Sequence, residues 1–282
     1  MIKVSICCIT YNHAPFIRQC LDGFLMQQCN FDFEILIHDD ASTDGTQEII
    51  KEYQKKYPEI IKPIIQVENQ WSRGVRGMNL RYNFPRAKGK YIALCEGDDY
   101  WSDPLKLQKQ VEVLENDPDC SLCFHPTKFV RNNNPLDSYI HAPSIKRDKY
   151  TMIDVIRGGG GFMATNSMVY RTEYLKNNYP DWARKAPVGD APLMLVLASK
   201  GHFRYVDDVM GVYRIMSSDS AWSAKMKDWK NRKKHHYQIL DMWDEFDKWS
   251  EFKFHKYVVE KKRNNTINFY KGAIHHFLKK FL

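Results

Sequence analysis

The stretch from Tyr91 to Pro104, YIALCEGDDYWSDP, constrains this chain more than any other. Tyr91, Ile92, Ala93, Leu94 and Cys95 form an apolar run that suits a buried strand and falls short of a helix. It leads straight into Glu96, Gly97, Asp98 and Asp99, which set three carboxylates close together. Like charges packed this closely repel unless a cation or hydrogen-bond donors compensate them. Oxygen ligands of this kind suit a hard divalent ion, and Mg2+ commonly sits between carboxylates and the phosphates of a substrate. The plain alternative is an acidic turn before a helix that opens near Pro104.

The residues upstream decide between the two. Lys3 to Asn12 reads as a buried strand ending in a polar turn, and Pro15 opens a helix to about Gln28. Phe33 to His38 is a second strand, closed by Asp39-Asp40-Ala-Ser-Thr-Asp-Gly-Thr46 and followed by a helix from Gln47 to Lys56. Lys62 to Val67 is a third strand, with a helix expected from Asn79 to Ala87, and the Tyr91 run is the fourth. Strands alternating with helical segments make a mostly parallel sheet flanked by helices, the α/β class. Such sheets bind ligands at the carboxyl ends of their strands. Thr10, Tyr11, Asp39, Asp40, Asp98 and Asp99 all fall there.

Several function classes drop out. No GxGxxG follows the first strand and no GxxxxGK[ST] occurs, which argues against a dinucleotide oxidoreductase and a P-loop NTPase. The seven cysteines are odd in number and mostly sit inside apolar runs, as buried thiols do in a reducing compartment. Cys120 and Cys123 lack a second ligand pair, so we expect no zinc site there. No apolar run approaches the roughly 20 residues of a membrane span. A strand pattern beginning at Ile2 leads us to expect no signal peptide and a cytoplasmic protein.

Ser5 to Asn12 (SICCITYN), Asp39 to Thr46 (DDASTDGT) and Ala87 to Asp99 (AKGKYIALCEGDD) together resemble the nucleotide-binding half of family 2 glycosyltransferases, of GT-A fold. The likeness is strong over about the first 115 residues. It continues more loosely through Gly158 to Arg171, Gly189-Asp190 and Gly211 to Arg214. The resemblance implies an inverting, metal-dependent enzyme that moves a sugar from a nucleotide-sugar, UDP-linked, to a saccharide or lipid-linked acceptor in surface polysaccharide synthesis. Thr10, Tyr11 and Asn12 would line the base pocket, with Tyr11 stacked on the base. Asp39 would accept from base or ribose, and Asp40 would support the turn. Ser42 and Asp44 read as caps of the following helix. One of Arg73, Arg76 and Arg81 would lie near the nucleotide. Asp98 and Asp99 would contact ribose and metal, Mn2+ or Mg2+, with Glu96 one layer behind. Asp190 would be the general base, although its place ahead of an apolar helix (Pro192 to Ala198) also suits an N-cap. Many family members carry a His where this chain has Met216; Arg214, Ser217 or Ser218 would then reach the phosphates. Rival readings are a nucleotidylyltransferase, which needs a Gly-rich basic loop that Thr10 to His13 is not, and a non-catalytic nucleotide-binding membrane adaptor.

The second half is less regular. Cys120 to Arg131 reads as one strand, Asn132 to Tyr150 as a loop over the site, Phe203 to Met210 as a strand and Gly211 to Ser218 as a turn. The run Gly158 to Gly161 marks a close approach of backbone to a sugar. Residues 1–220 thus divide into a nucleotide-sugar half (1–115) and an acceptor half (116–220). Residues 221–282 form a basic, aromatic helical extension with 15 Lys and Arg against 7 Asp and Glu, while the rest of the chain is neutral. That extension packs its aromatic residues on the core, or meets an anionic membrane surface. No nucleic-acid recognition motif accompanies it, so no nucleic-acid partner is expected.

Overall fold

The computed structural model describes residues 1–176, 179–215 and 228–278. β1 (Ile2–Thr10) is an interior strand, third from one edge, of an eight-stranded sheet. Its parallel neighbours are β2 (Asp32–Asp39) and β4 (Tyr91–Leu94), and β3 (Ile61–Ile65) lies outside β2. The chain therefore steps outward from β1 to β3 and returns to the other side of β1. This reversal opens a crevice at the carboxyl ends of β1 and β4, where α/β sheets hold ligands. Strands covered on both faces need near-continuous apolar sequence, and β4 is buried at every position.

The sheet continues from β4 through β10 (Val169–Arg171), β6 (Cys120–Phe124), β11 (His202–Tyr205) and β9 (Lys149–Tyr150). β10 runs antiparallel to both its neighbours. One face is covered by α1 (Ala14–Leu25), α2 (Thr46–Lys56) and α3 (Lys106–Asn116), with Ile17, Cys20, Leu21 and Phe24 of α1 at helical spacing. The other face carries α4 (Met152–Gly158), α5 (Glu173–Lys176), α6 (Asp181–Lys185) and α7 (Asp190–Ala198).

A second, four-stranded sheet runs β5 (Tyr100–Trp101), β12 (Gly211–Ile215), β7 (Thr127–Arg131), β8 (Asn134–His141). It corrects several expectations. The strand expected from Cys120 to Arg131 is two strands in different sheets, because Pro126 cannot donate to a ladder. The loop expected from Asn132 to Tyr150 holds β8 and β9. Asn132 and Asn133, at φ 48° and 56°, form the two-residue hairpin loop between β7 and β8. The turn expected at Gly211 is β12, and the strand before it stops at Tyr205. The helix expected from Asn79 to Ala87 is a π-helical turn (Asn79–Asn83) and a 3-10 turn (Phe84–Arg86), consistent with Pro85 interrupting the ladder.

The C-terminal segment contains α8 (Trp229–Trp249), capped by the Asp228 carboxylate, and α9 (His255–Leu278). They pack on each other, with Phe269 of α9 stacked on both Trp229 and His236 of α8. Met242, Trp243, Phe246 and Val258 are buried in the same core cluster as α4 and α7. Much of the aromatic character of this segment is thus spent on the core.

Candidate active site

The acidic loop leaves β4 and folds back on the end of β1. The Gly97 N–H donates to the Ile9 carbonyl at 2.9 Å. A Cβ at Gly97 would lie 2.6 Å from Thr10 Oγ1, so only glycine allows this approach. Oxygen atoms of Glu96, Asp98 and Asp99 lie within 4.8 Å of one another. Asp99 is buried; its Oδ1 accepts from the Arg214 N–H at 2.9 Å, while Oδ2 is buried with no partner. Burial and the charges of Asp98 and Asp190 push the Glu96 carboxyl up to about 8. Burial, with Asp98 and Glu96, holds Asp99 well above the usual carboxylate range. A buried carboxylate oxygen without a donor, among mutually repelling carboxylates, fits a hard divalent cation. Glu96, expected one layer behind, belongs to this cluster.

Arg214 anchors the loop. Its Nε donates to Asn133 Oδ1 at 2.8 Å, its Nη1 to the Asp98 carbonyl and its Nη2 to Gln19 Oε1. The guanidinium lies 5.0 Å from the Phe16 ring centroid and 4.6 Å from that of Tyr100. The side chain expected at the phosphates thus ties the acidic loop to α1 and to the hairpin loop between β7 and β8. Met216, Ser217 and Ser218 lie outside the described residues. His13, which sequence reasoning missed, puts Nε2 3.8 Å from Asp98 Oδ2; its place directly after Asn12 was the available signal.

Thr10 is the last residue of β1, and Tyr11 and Asn12 follow it. Thr10 is buried with its hydroxyl unpartnered, and Tyr11 is exposed. Asn12 is left-handed (φ 54°), and its Oδ1 accepts from the Thr43 N–H at 2.9 Å. Asp39 is fully buried. Its Oδ1 accepts from the Ser42 N–H at 3.0 Å and Gln47 Nε2 at 2.9 Å, and its Oδ2 from the Ser42 hydroxyl. The Asp40 carboxylate holds the next loop through the N–H groups of Gln70 (2.7 Å) and Trp71 (3.0 Å). Asp44 accepts from the N–H of Ala14 (3.0 Å) and of Thr46 (3.1 Å), joining the starts of α1 and α2. Ser42 instead ties Asn12 to Asp39. Of the three candidate arginines, Arg73 pairs with Glu68, Arg81 donates to the Arg76 carbonyl, and Arg76 lies 3.7 Å over the Trp71 ring.

Beside the acidic loop is a cleft of about 570 Å3, lined among others by Glu96, Asp190, Gly160, Tyr213, Arg76 and Trp71. Asp190 is the first residue of α7, with Oδ1 accepting from the Ala191 N–H at 2.8 Å. Burial raises its carboxyl above the ordinary range. A Cβ on Gly160 would sit 2.7 Å from Asp190 Oδ2, so the glycine run meets this carboxylate closely. The Tyr213 phenol, also missed in the sequence, is pushed up by burial and by Glu96, Asp99, Asp98 and Asp190. β12 brings it there by pairing with β5, which alternation alone could not reveal.

Residues 5–178 match the family model "Glycosyl transferase family 2". An uncharacterised protein of Mycobacterium tuberculosis is 38% identical over 81% of this chain and 64% of its own length, so the chain spans just under two thirds of that relative. A Bacillus subtilis glycosyltransferase named for teichuronic acid biosynthesis, TuaG, is 28% identical over 80% of this chain and 85% of its own. Among solved structures, S. aureus TarS residues 1–349 in complex with UDP-GlcNAc superposes with a TM-score of 0.60 at 19% identity, over 85% of this chain and 67% of that one. The Pyrobaculum calidifontis mannosyltransferase PcManGT, in complex with GDP-Man and Mn2+, gives 0.55 at 18% identity, over 86% and 63%. At these identities the structural likeness speaks for the fold, and it is the GT-A-like arrangement expected. By its match to the family model over more than half of its length, the chain belongs to glycosyl transferase family 2.

Proposed function

We propose that this chain transfers a sugar from a nucleotide-sugar, UDP-linked, to a hydroxyl of a saccharide or lipid-linked acceptor, with inversion, in surface polysaccharide assembly. One observation carries the reading: Glu96, of the carboxylate cluster ending β4, and the separate carboxylate Asp190 face the same cleft. Asp98 and Asp99, beside Glu96, would hold Mn2+ or Mg2+, which when bound offsets charge on the leaving diphosphate. Thr10, Tyr11 and Asn12 receive the base, with Tyr11 offering an aromatic face, and Asp39 accepts from base or ribose. Asp190 takes the proton of the acceptor hydroxyl as its oxygen attacks the anomeric carbon opposite the diphosphate. TarS with UDP-GlcNAc supports the donor class, PcManGT with Mn2+ the metal, and TuaG the polysaccharide context.

The test is a thermal-shift panel of nucleotide-sugars with and without Mn2+, since a ligand that binds the folded state raises its apparent stability. UDP-sugars should stabilise the protein in a Mn2+-dependent way that Asp99→Ala abolishes. Asp190→Asn should keep donor binding and lose about 10²-fold or more in turnover. Equal Mn2+ dependence in Asp99→Ala, or near-normal turnover in Asp190→Asn, would remove those assignments.

Docking on an anionic membrane through residues 221–282 belongs to the same reading. No described helix is long and apolar enough to cross a membrane, while Trp229, Tyr237, Ile267 and Tyr270 are exposed beside Lys230, Lys233 and Lys234. Truncation near Ser220 would strip Trp243 and Phe246 from the core, so charge reversal is the cleaner probe. The Lys230→Glu, Lys233→Glu, Lys234→Glu variant should lose salt-sensitive binding to anionic vesicles. Failure of the unmodified protein to bind them at low salt refutes docking.

A further inference from the structure

The glycine turn beside Asp190 is held from behind by the C-terminal helix. Tyr257, Val258 and Lys261 share one face of α9, spaced to meet a single neighbour. Val258 is buried with Val155 and Ile156 of α4, and the Arg157 guanidinium lies 5.2 Å from the Tyr257 ring centroid. Lys261 Nζ donates to the Arg157 carbonyl at 2.8 Å. Arg157 is the penultimate residue of α4, where helix carbonyls have no partner within the helix and a cation is favoured. Lys261 has no carboxylate partner among the described residues; burial alone acts on it and lowers its pKa. Its place is explained by the end of α4 and by the glycine turn beyond it.

Gly159 (φ 63°) turns the chain directly after α4. A Cβ there would lie 2.7 Å from Lys261 Nζ, and a Cβ on the next residue, Gly160, 2.7 Å from Asp190 Oδ2. Two successive glycines are therefore clamped between an ammonium from α9 and the carboxylate of α7. On the other flank, Trp182 of α6 packs at 5.7 Å on Phe246 and 5.6 Å on Trp249, both of α8. The C-terminal helices thus back both segments that frame Asp190.

We propose that Lys261 is a positioning residue for Asp190: by capping α4 and covering Gly159, it fixes the glycine turn against which the Asp190 carboxylate is set. The proposal rests on Asp190 as the general base. It makes the C-terminal helix part of the transfer machinery rather than only a surface anchor. Misplacement of a reacting group by a fraction of an ångström lowers the transfer step while leaving distant donor contacts alone.

The experiment uses the full chain, with kcat and KM for donor and acceptor and the UDP Kd by calorimetry. Lys261→Met keeps the aliphatic stem and removes the ammonium. Its kcat should fall about tenfold with the UDP Kd and the donor KM within about twofold, and Lys261→Arg should recover part of the loss. In an Asp190→Asn background, Lys261→Met should cost nothing further, because residues acting on one step are not additive. A merely structural lysine would add its full effect in that background, and this outcome overturns the proposal. Unchanged kcat in Lys261→Met overturns it too, as does a fall matched by lost UDP affinity. If Lys261→Met does not fold, Lys261→Gln carries the same comparisons. Turnover surviving Asp190→Asn refutes the base assignment instead, so the two failures are separable.

Discussion

The main-chain N–H of Arg214 donates to Asp99 Oδ1 at 2.9 Å, joining groups 115 residues apart in the chain. The same residue's guanidinium holds the carbonyl of Asp98, so β12 grips the acidic loop through backbone and side chain together. A planar fork held between Phe16 and Tyr100 can make these bonds at once, and an ammonium cannot. Arg214→Lys should destabilise the protein by about 2–4 kcal/mol, as several buried charge-assisted hydrogen bonds are lost. Mn2+-dependent UDP affinity should fall about tenfold as the loop loosens. Denaturant unfolding and calorimetry read the two effects; unchanged affinity in a folded variant would show that the loop holds its shape without the guanidinium.

The carboxylate cluster has a pH signature. Burial, then Asp98 and Asp190, raises Glu96 to about 8, so between about 4.5 and 8 the folded chain keeps a proton that the unfolded chain has released. Without divalent cation, stability should therefore fall as pH rises through that window. Saturating Mn2+ should flatten the slope, and Mn2+ affinity should itself rise with pH, because binding displaces the proton. Urea unfolding at several pH values in EDTA and in Mn2+ measures this. A slope identical in Glu96→Gln and the unsubstituted protein would exclude Glu96 as its source.

Gly160 supplies the most local test of the cleft. The added methyl of Gly160→Ala would sit 2.7 Å from Asp190 Oδ2, closer than real contacts allow, so carboxylate or turn must shift. Turnover should drop by about 10²-fold with donor binding retained. Gly161, also in the cleft, has nothing within 4 Å of the corresponding position, so Gly161→Ala serves as the control.

Asp117, just past the end of α3, lies away from the site. Burial pushes its carboxyl up, but hydrogen bonds from Arg204 and His202 (each 2.8 Å) win and bring it down to about 2. A depressed carboxyl contributes stability in full above about 3.8 and loses it as pH falls towards about 2. Asp117→Asn should cost about 1–3 kcal/mol at neutral pH and shrink the acid-induced loss over that window. Acid titration followed by circular dichroism compares the two proteins. An unchanged acid limb would assign that loss to other carboxylates.

Sequence alone determined the arrangement of β1, β2 and β4. β1, β2 and β4 are largely buried, so their sequences are mostly apolar, and the groups at their carboxyl ends are placed by position in the chain. Thr10, Asp39 and Asp99 needed no tertiary information to be put at one edge of the sheet. Residues 116–220 were legible only in parts, because their decisive contacts join segments far apart in sequence. β8 is mostly exposed and therefore lacks the apolar signal of a strand, so Asn132 to Tyr150 read as a loop. β12 looked like a turn because its strand character comes from pairing with β5 and β7. That pairing alone puts Tyr213 in the cleft and brings Arg214 against the acidic loop. The aromatic and basic pattern after Ser220 was visible as composition. Only packing decided that Trp243 and Phe246 fill the core and that Lys261 closes the end of α4, since periodicity reports that a face is buried without naming its neighbour.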